Sequence, residues 1–218
     1  MINKRILIFA PHHDDEAIGM GGTIARLVEG GHEVNLAVVC QGTFGVDKMN
    51  PAQIQETREK ETLNSAKVLK IKNVEFMRLF EYVLEFNDRV LTEFIRVIRK
   101  NKPDVIYTPH SEERDMDHRA VCQIVREAAW LSCVSSAFSH VKPLLEKDIE
   151  LKFYEVWTPI SCVGEKSCID KYISQKREAI SCYQSQLKDR DYLKMAVSLN
   201  QFRAISCSRG CKYLEVFG

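Results

Sequence analysis

The feature that most constrains the fold is a repeated alternation of short apolar runs with longer amphipathic stretches. Runs such as Ile6–Ala10 are continuously apolar and rich in β-branched residues, which is typical of parallel strands buried on both faces. We predict strands over 5–10, 34–40, 74–77, 104–108 and 151–157, and helices over 18–29, 51–69, 87–100, 120–129, 169–185 and 193–205. Strands alternating with helices in this way predict a Rossmann-like, doubly wound α/β fold, with a mostly parallel sheet between two helical layers.

The length and the charge narrow the class of protein. A chain of 218 residues is long enough for one domain with its own core, so we expect a single domain over 1–218. The formal net charge of +1 favours neither a nucleic-acid partner nor an anionic membrane. We find no apolar run long enough to span a bilayer and no signal-peptide pattern, and we therefore expect a cytoplasmic protein without a membrane span. The sequence is compatible with a homo-oligomer.

The 8 cysteines do not form a C-x-x-C pair. Without an export signal, we expect them to be reduced and mostly buried as small apolar side chains. A thiolate metal site at Cys207 and Cys211, which lie four residues apart, is the weaker alternative.

Two polar clusters follow predicted strands. Residues 12–16 (His-His-Asp-Asp-Glu) come after the first strand, and residues 110–119 come after the fourth. In the common strand order 3-2-1-4-5, these two strands are neighbours at the point where ligands bind in open α/β sheets. We therefore expect the clusters to face each other across a crevice. The alternative for each cluster is an ordinary solvated loop.

The spacing within the clusters predicts a metal centre. His12 and Asp15, three residues apart, lie on one face of a helical turn. An imidazole, a carboxylate and a further histidine, His118, would complete the three protein ligands of a catalytic zinc site. Asp14 projects differently and is the candidate general base that takes a proton from water.

These residues resemble a known family. The segment 6–27, with Pro11-His12-His13-Asp14-Asp15-Glu16, is similar to the (A/P)-H-x-D-D-E signature of the PIG-L/LmbE-like zinc-dependent N-acetylglucosaminyl deacetylases, and Asp117-His118 is similar to their second motif. The Gly19–Gly22 run does not match the dinucleotide-binding pattern in register, which argues against NAD.

The resemblance implies a zinc-dependent hydrolase that removes the N-acetyl group from an N-acetylglucosamine-type sugar or its conjugate, so the expected partner is a small amino-sugar substrate. It implies His12, Asp15 and His118 as zinc ligands, Asp14 as general base, Asp117 as a carboxylate that orients an imidazole or tunes the base, and Arg58 as a substrate contact. We also expect His13 to face solvent or substrate, and His110 to approach the substrate from the end of the fourth strand. Arg58 has an alternative, which is pairing with Glu61 or another acidic neighbour on its helix.

One position departs from the family pattern. Many members have a histidine three residues before the last zinc ligand, where this chain has Asp115. The general acid is therefore open among Asp115, Asp14 and His110. The competing hypotheses are a non-catalytic zinc- or sugar-binding protein and a zinc amidase with another substrate. Phe44 and Tyr82 are candidate sugar-stacking residues, whereas Tyr154 and Trp157 are expected in the core.

Overall fold

A mixed sheet forms the centre of the molecule. The computed structural model describes residues 3–43, 50–82, 84–188, 190–208 and 210–218. Its seven-stranded sheet has the order β3-β2-β1-β4-β5-β7-β6. The strands are β1 (Arg5–Ala10), β2 (Glu33–Cys40), β3 (Asn73–Leu79), β4 (Val105–Pro109), β5 (Glu150–Tyr154), β6 (Glu165–Cys168) and β7 (Leu214–Phe217). Strands β1 to β5 are parallel, and β7 is antiparallel to both β5 and β6.

Helices cover both faces of the sheet. They are α1 (Asp15–Glu29), α2 (Pro51–Leu69), α3 (Asp88–Asn101), α4 (Met116–Cys133), α5 (Ile173–Ser181), α6 (Gln184–Leu187) and α7 (Tyr192–Cys207). Helices α1, α2, α5 and α7 pack together on one face, and α3 and α4 pack on the other. The predicted three-layer, doubly wound architecture is confirmed.

Alternate residues of the central strands face two separate apolar cores, because successive side chains of a strand point to opposite faces. In β1, Ile6 and Ile8 belong to the core under α1 and α5. Leu7 and Phe9 belong to the core under α3 and α4. Burial on both faces explains why β1 is continuously apolar in sequence.

Side-chain caps determine where several helices begin. Asn50 accepts a hydrogen bond from the amide of Ala52 before α2, and Asn87 accepts one from the amide of Val90 before α3. Asp115 caps α4 by accepting from the amides of Asp117 and His118. Each cap satisfies amides that have no partner within their helix, and the last cap places Asp117 and His118 in the first turn of α4.

The second half of the chain differs from the prediction. The predicted helix over 169–185 is a 3₁₀ turn (Asp170–Tyr172) followed by α5 and α6. Strand β5 ends at Tyr154, so Trp157 lies in a loop. Strands β6 and β7 were not predicted, because four residues are too few for a periodic pattern to stand out.

The glycine run 19–22 lies at a kink in α1. Met20 has non-helical backbone angles, and the amides of Gly22 and Thr23 donate to the carboxylate of Glu215. The buried ammonium of Lys176 donates to the carbonyl of Ile18 and lies 2.6 Å from Glu215 Oε1. A Cβ on Gly22 would lie 2.7 Å from Ile169. The glycines therefore allow close packing at the kink.

The expectation that all cysteines are reduced is wrong for two of them. Cys168 and Cys211 form a disulfide across a Cα–Cα distance of 5.9 Å, because the unpredicted pairing of β6 with β7 brings their segments together. Of the free cysteines, only Cys40 and Cys122 are buried among the described residues, and Cys162 is exposed. Cys211 is thereby removed from the weaker alternative of a thiolate site with Cys207. No helix among the described residues has the length and apolar character needed to cross a membrane.

Candidate active site

The two polar clusters meet at one edge of the sheet, as predicted. Strands β1 and β4 pair in parallel, so the loops that follow them leave the sheet at the same edge. The first loop leads into α1 and the second leads into α4. The sheet order therefore brings together side chains about one hundred residues apart in sequence.

Three side-chain atoms form a small triangle at this edge. Nδ1 of His12 lies 3.3 Å from Nε2 of His118, and that nitrogen lies 3.2 Å from Oδ2 of Asp15. The third side, from His12 Nδ1 to Asp15 Oδ2, is 3.6 Å. Asp15 and His118 are buried, and Asp15 Oδ1 and His118 Nδ1 have no hydrogen-bond partner among the described residues. A dense group of imidazole and carboxylate donors with unpaired buried atoms fits a cation site.

The charges in this triangle depend strongly on one another. Burial alone would raise the pKa of Asp15. The neighbouring His118 and His12 imidazoles outweigh burial and hold this pKa well below its usual range. Burial lowers the pKa of His12, but hydrogen bonds with Asp117, Asp15 and Cys40 hold it well above its usual value. The carboxylate of Asp15 therefore stays ionised beside the imidazoles.

Asp117 lies behind His12. Its Oδ2 atom is 3.1 Å from His12 Nε2, and its carboxylate accepts the amide of Tyr82 at 2.8 and 3.1 Å. A proton on Nε2 that donates to Asp117 leaves the lone pair of Nδ1 facing His118 and Asp15. Cys40, His12 and Asp117 also have potential ligand atoms within 4.8 Å of one another.

Asp14 has an unusual backbone at the junction of β1 and α1. Its φ angle of 111° lies in the left-handed region, which a non-glycine residue rarely adopts. Asp14 is buried and lines the cavity beside His12 and Asp15. Burial raises its pKa well above the usual value, and Asp15 and Glu16 raise it further, while His12 and Arg58 oppose the change. Strained backbone of this kind is concentrated at functional sites.

A cavity of about 190 Å³ opens beside the triangle. Its wall combines acidic, basic and aromatic side chains: His12, Asp14, Asp15, Arg58, Glu81, Tyr82, Asp115, Trp157, Gln186 and Tyr192. A lining that combines polar and aromatic side chains suits a small polar ligand that carries apolar faces.

Asp115 combines two positions. It caps α4, with Oδ1 accepting from the amides of Asp117 at 2.8 Å and His118 at 3.4 Å. It also lines the cavity, and a carboxylate oxygen lies within 4.8 Å of ring nitrogens of His12 and His118. Asp115 is therefore both the cap of α4 and a part of the cavity wall.

Arg58 lies in the cavity wall. The alternative in which it pairs with Glu61 is not observed, because Glu61 accepts from Ser185 instead. The Nε atom of Arg58 is buried without a hydrogen-bond partner among the described residues. Arg58 thus combines a position in the cavity wall with an unpaired buried donor.

The structure does not bring His13 into contact with solvent. It is 1% exposed, its Nδ1 lies 2.8 Å from Thr62 Oγ1, and its ring stacks on Phe76. Burial lowers its pKa to about 4, and Arg58 lowers it too. The prediction that His13 faces solvent or substrate is wrong, because the residue after His12 points back between α2 and β3.

His110 also lies away from the cavity. Its Nε2 donates to the carbonyl of Thr158 at 2.7 Å, and its Nδ1 accepts from the amide of Glu112. It lines a different cavity with Phe153 and Ile160. The prediction that His110 contacts substrate or supplies the general acid is therefore not supported, because both of its ring nitrogens have partners outside the site.

Four residues of the wall were not predicted as site residues: Glu81, Trp157, Gln186 and Tyr192. Trp157 was expected in the core but lies half-buried in the wall, while Tyr154 is fully buried as expected. Gln186 lies in α6 and Tyr192 begins α7; both fall in the gap between the predicted helices 169–185 and 193–205, so no periodic pattern marks them. Tyr82, a predicted stacking candidate, is in the wall, and Phe44 lies outside the described residues.

Known proteins share this fold. A diacetylchitobiose deacetylase of Thermococcus kodakarensis is 31% identical over 121 residues, which is 53% of this chain and 45% of that protein. The structure of N,N′-diacetylchitobiose deacetylase from Pyrococcus horikoshii superposes with a TM-score of 0.87 at 23% identity, covering 99% of this chain and 83% of that one. The 4-carboxy-2-hydroxymuconate hydratase GalB of Pseudomonas putida superposes with a TM-score of 0.81 at 19% identity, covering 98% and 95%. The matched part of the chain thus spans less than half of the length of the curated relative. Since a deacetylase and a hydratase both superpose on the chain, this fold occurs with more than one activity.

A family model assigns the chain more directly. The model described as PIG-L, GlcNAc-PI de-N-acetylase, matches residues 7–129, which is more than half of the chain and includes both polar clusters. The chain therefore belongs to the PIG-L family.

Proposed function

We propose that this protein is a metal-dependent N-deacetylase that hydrolyses the acetamide of an N-acetylglucosamine-type sugar or its conjugate. The observation that carries the proposal is the triangle of His12 Nδ1, Asp15 Oδ2 and His118 Nε2, with sides of 3.2 to 3.6 Å. Nitrogen and oxygen ligands about 2.0–2.2 Å from one tetrahedral zinc ion lie about 3.3–3.6 Å apart. The residues therefore fit such an ion, with zinc as the first candidate.

Family membership and the relatives support the reaction class. The matching family model is described as a de-N-acetylase, and the curated relative and the Pyrococcus structure are diacetylchitobiose deacetylases. A bound divalent cation supplies Lewis-acid polarisation of a carbonyl oxygen and lowers the pKa of water. The remaining chemistry falls to the side chains of this chain.

Asp14 is the proposed residue that moves the proton. Its carboxyl group lines the cavity next to the triangle, where it takes a proton from the water that attacks the acetamide carbonyl carbon. The C–N bond then breaks, acetate forms, and the amine leaves with a proton returned by Asp14. Asp115 lines the same cavity and is the second candidate for the proton on the amine.

The remaining wall binds the sugar. Arg58 lines the cavity, where its guanidinium would donate to a sugar oxygen, and Tyr82, Trp157 and Tyr192 line the same space. Aromatic rings bury the apolar face of a sugar while donors such as Arg58 and Gln186 fix its orientation. Asp117 keeps His12 oriented from behind.

The test is release of a free amine from N-acetylglucosamine and N,N′-diacetylchitobiose, with and without a chelator. We expect turnover that the chelator abolishes and that added zinc restores. The Asp14→Asn variant should lose turnover and keep the metal. Turnover that survives complete metal removal, or full activity of Asp14→Asn, would contradict the proposal.

A second candidate function is an altered activity on the same scaffold, such as sugar or metal binding without turnover. Two observations favour it. Asp115 stands where many family members have histidine and is engaged as a helix cap, and a hydratase shares the fold. This candidate predicts that metal and N-acetylglucosamine bind by calorimetry while no amine is released; measurable deacetylation would exclude it.

A further inference from the structure

The carboxylate of Glu113 binds the backbone of the loop after β5. Its Oε1 accepts from the amides of Val156 at 2.7 Å and Trp157 at 3.0 Å. Its Oε2 accepts from the amides of Trp157 at 3.2 Å and Thr158 at 3.1 Å. Glu113 is 1% exposed, so it is a buried charge whose partners are three consecutive N–H groups. Such charge-assisted bonds are stronger than neutral ones, and a buried carboxylate is retained only with such partners.

Further contacts join the same two loops, which follow β4 and β5. His110 Nε2 donates to the carbonyl of Thr158 and lies 3.5 Å from Glu113 Oε1. The amide of Arg114 donates to Thr158 Oγ1 at 2.9 Å. The guanidinium of Arg119 donates to the carbonyls of Glu113 and Arg114. The loop that carries Glu113 is thus held from both sides.

These contacts position Trp157, which lies in the cavity wall. The Arg114 guanidinium carbon lies 5.2 Å from the centre of its ring, and the ring of Tyr192 meets it edge-on at 5.5 Å. No described contact links Glu113 to the triangle of His12, Asp15 and His118. The charge of Glu113 interacts with His118 through space, whereas its direct contact with the cavity wall runs through the 156–158 backbone.

We propose that Glu113 is a positioning residue, which acts on substrate by holding Trp157 as the aromatic wall against the sugar. This inference rests on the proposed function and assigns His110, which the catalytic site does not use, to the support of the same loop. Loss of the carboxylate leaves three amides unsatisfied and frees the loop, so substrate binding weakens while the chemical step is preserved.

The first measurement needs no turnover. The chain has 2 tryptophans, and Trp130 is exposed, so a Trp130→Phe background leaves Trp157 as the only tryptophan. In that background, iodide should quench the fluorescence of Glu113→Ala and Glu113→Gln more strongly than that of the parent. Glu113→Gln keeps the size of the side chain and serves if Glu113→Ala does not fold. Unchanged quenching in a folded variant would overturn the proposal.

Two controls separate positioning from loss of stability. Glu112→Gln removes the neighbouring exposed carboxylate, which contacts Ser161, and should leave quenching unchanged. Glu155→Gln removes another buried carboxylate of the same loop, which binds Arg203 and the amide of Ile160. It should lower stability without exposing Trp157. Equal quenching in Glu155→Gln and Glu113→Gln would contradict a specific role for Glu113.

The second measurement uses the deacetylation assay. We expect KM to rise about two- to tenfold in Glu113→Gln, as loss of one aromatic contact implies, with kcat nearly unchanged. A fall in kcat at constant KM would exclude positioning through Trp157. If the parent releases no amine, the proposed function fails, and the change in sugar affinity by calorimetry, together with quenching, still decides the role of Glu113.

Discussion

The carboxylate of Asp117 and the imidazole of His12 form a pair in which Oδ2 lies 3.1 Å from Nε2. The opposite nitrogen of the ring, Nδ1, lies 3.3 Å from His118. Carboxylates in this position fix the orientation of a ligating imidazole and raise its basicity. The pair therefore links the first turn of α4 to the loop after β1 through one ring.

Asp117→Asn should weaken metal binding. The amide oxygen can still accept a hydrogen bond from His12, but the charge is lost, and we expect metal affinity to fall about 10- to 100-fold. Competition with a chromogenic chelator measures this change. His140→Gln, which removes an exposed histidine, is the control and should bind as tightly as the parent. Unchanged affinity in Asp117→Asn would show that Asp117 does not support His12.

Replacing Asp14 by glycine should raise the stability of the protein and abolish its activity. At its φ of 111° a glycine is relaxed, and relief of such strain is worth about 1–3 kcal/mol. Asp14→Gly should therefore unfold at higher urea concentration than the parent while losing deacetylation. Asp14→Asn keeps the backbone strain, and its rate should fall about 10²- to 10⁴-fold. A less stable Asp14→Gly would argue against stored strain.

The buried pair of Lys176 and Glu215 should be important for stability. Lys176→Met leaves Glu215 without its cation and Ile18 without a donor at the kink of α1. Removal of one partner of a buried pair costs about 3–5 kcal/mol. Urea unfolding measures the loss, and Lys171→Met, which breaks an exposed pair with Glu29, should change little. Equal stability of the two variants would contradict this account of the kink.

Glu113 should contribute a pH-dependent part of the stability. Burial alone would raise the pKa of its carboxyl group. Hydrogen bonds from His110 and from the amides of Val156 and Trp157 outweigh burial, so the folded-state pKa is below the usual 4.5. A lowered folded pKa stabilises the protein above the unfolded pKa and loses that effect as pH falls through the folded value. Unfolding free energies below about pH 4.5 should therefore depend less on pH in Glu113→Gln. An identical pH dependence would contradict the shift.

The central sheet and the two facing clusters could be predicted because each rests on local sequence. Strand β1 is apolar throughout, and the motif residues His12, Asp15 and His118 follow strands whose order obeys a general rule. The short strands β6 and β7 and the disulfide could not be predicted, since pairing between residues 165–168 and 214–217 depends on distant parts of the chain. His13 and His110 were misplaced because composition does not reveal which way a loop side chain turns.

The residues of the cavity wall could not be predicted from the sequence either, because their positions also depend on contacts between distant parts of the chain. Trp157 lies in the wall because β5 ends at Tyr154 and Glu113 binds the following amides. A tryptophan after an apolar run is equally compatible with a core position. The contacts that Trp157 makes with Tyr192 and that its amide makes with Glu113 come from distant parts of the chain, so the sequence does not show them.

The metal centre is tested most directly by the metal content of the purified protein and of three single variants. We predict one divalent ion per chain in the parent, with zinc as the first candidate, and its loss in His12→Gln, Asp15→Asn and His118→Gln when each variant remains folded. His140→Gln should retain the ion. A parent that binds no metal when zinc is supplied, or variants that keep a full complement of it, would contradict the claim that these three residues form the metal centre.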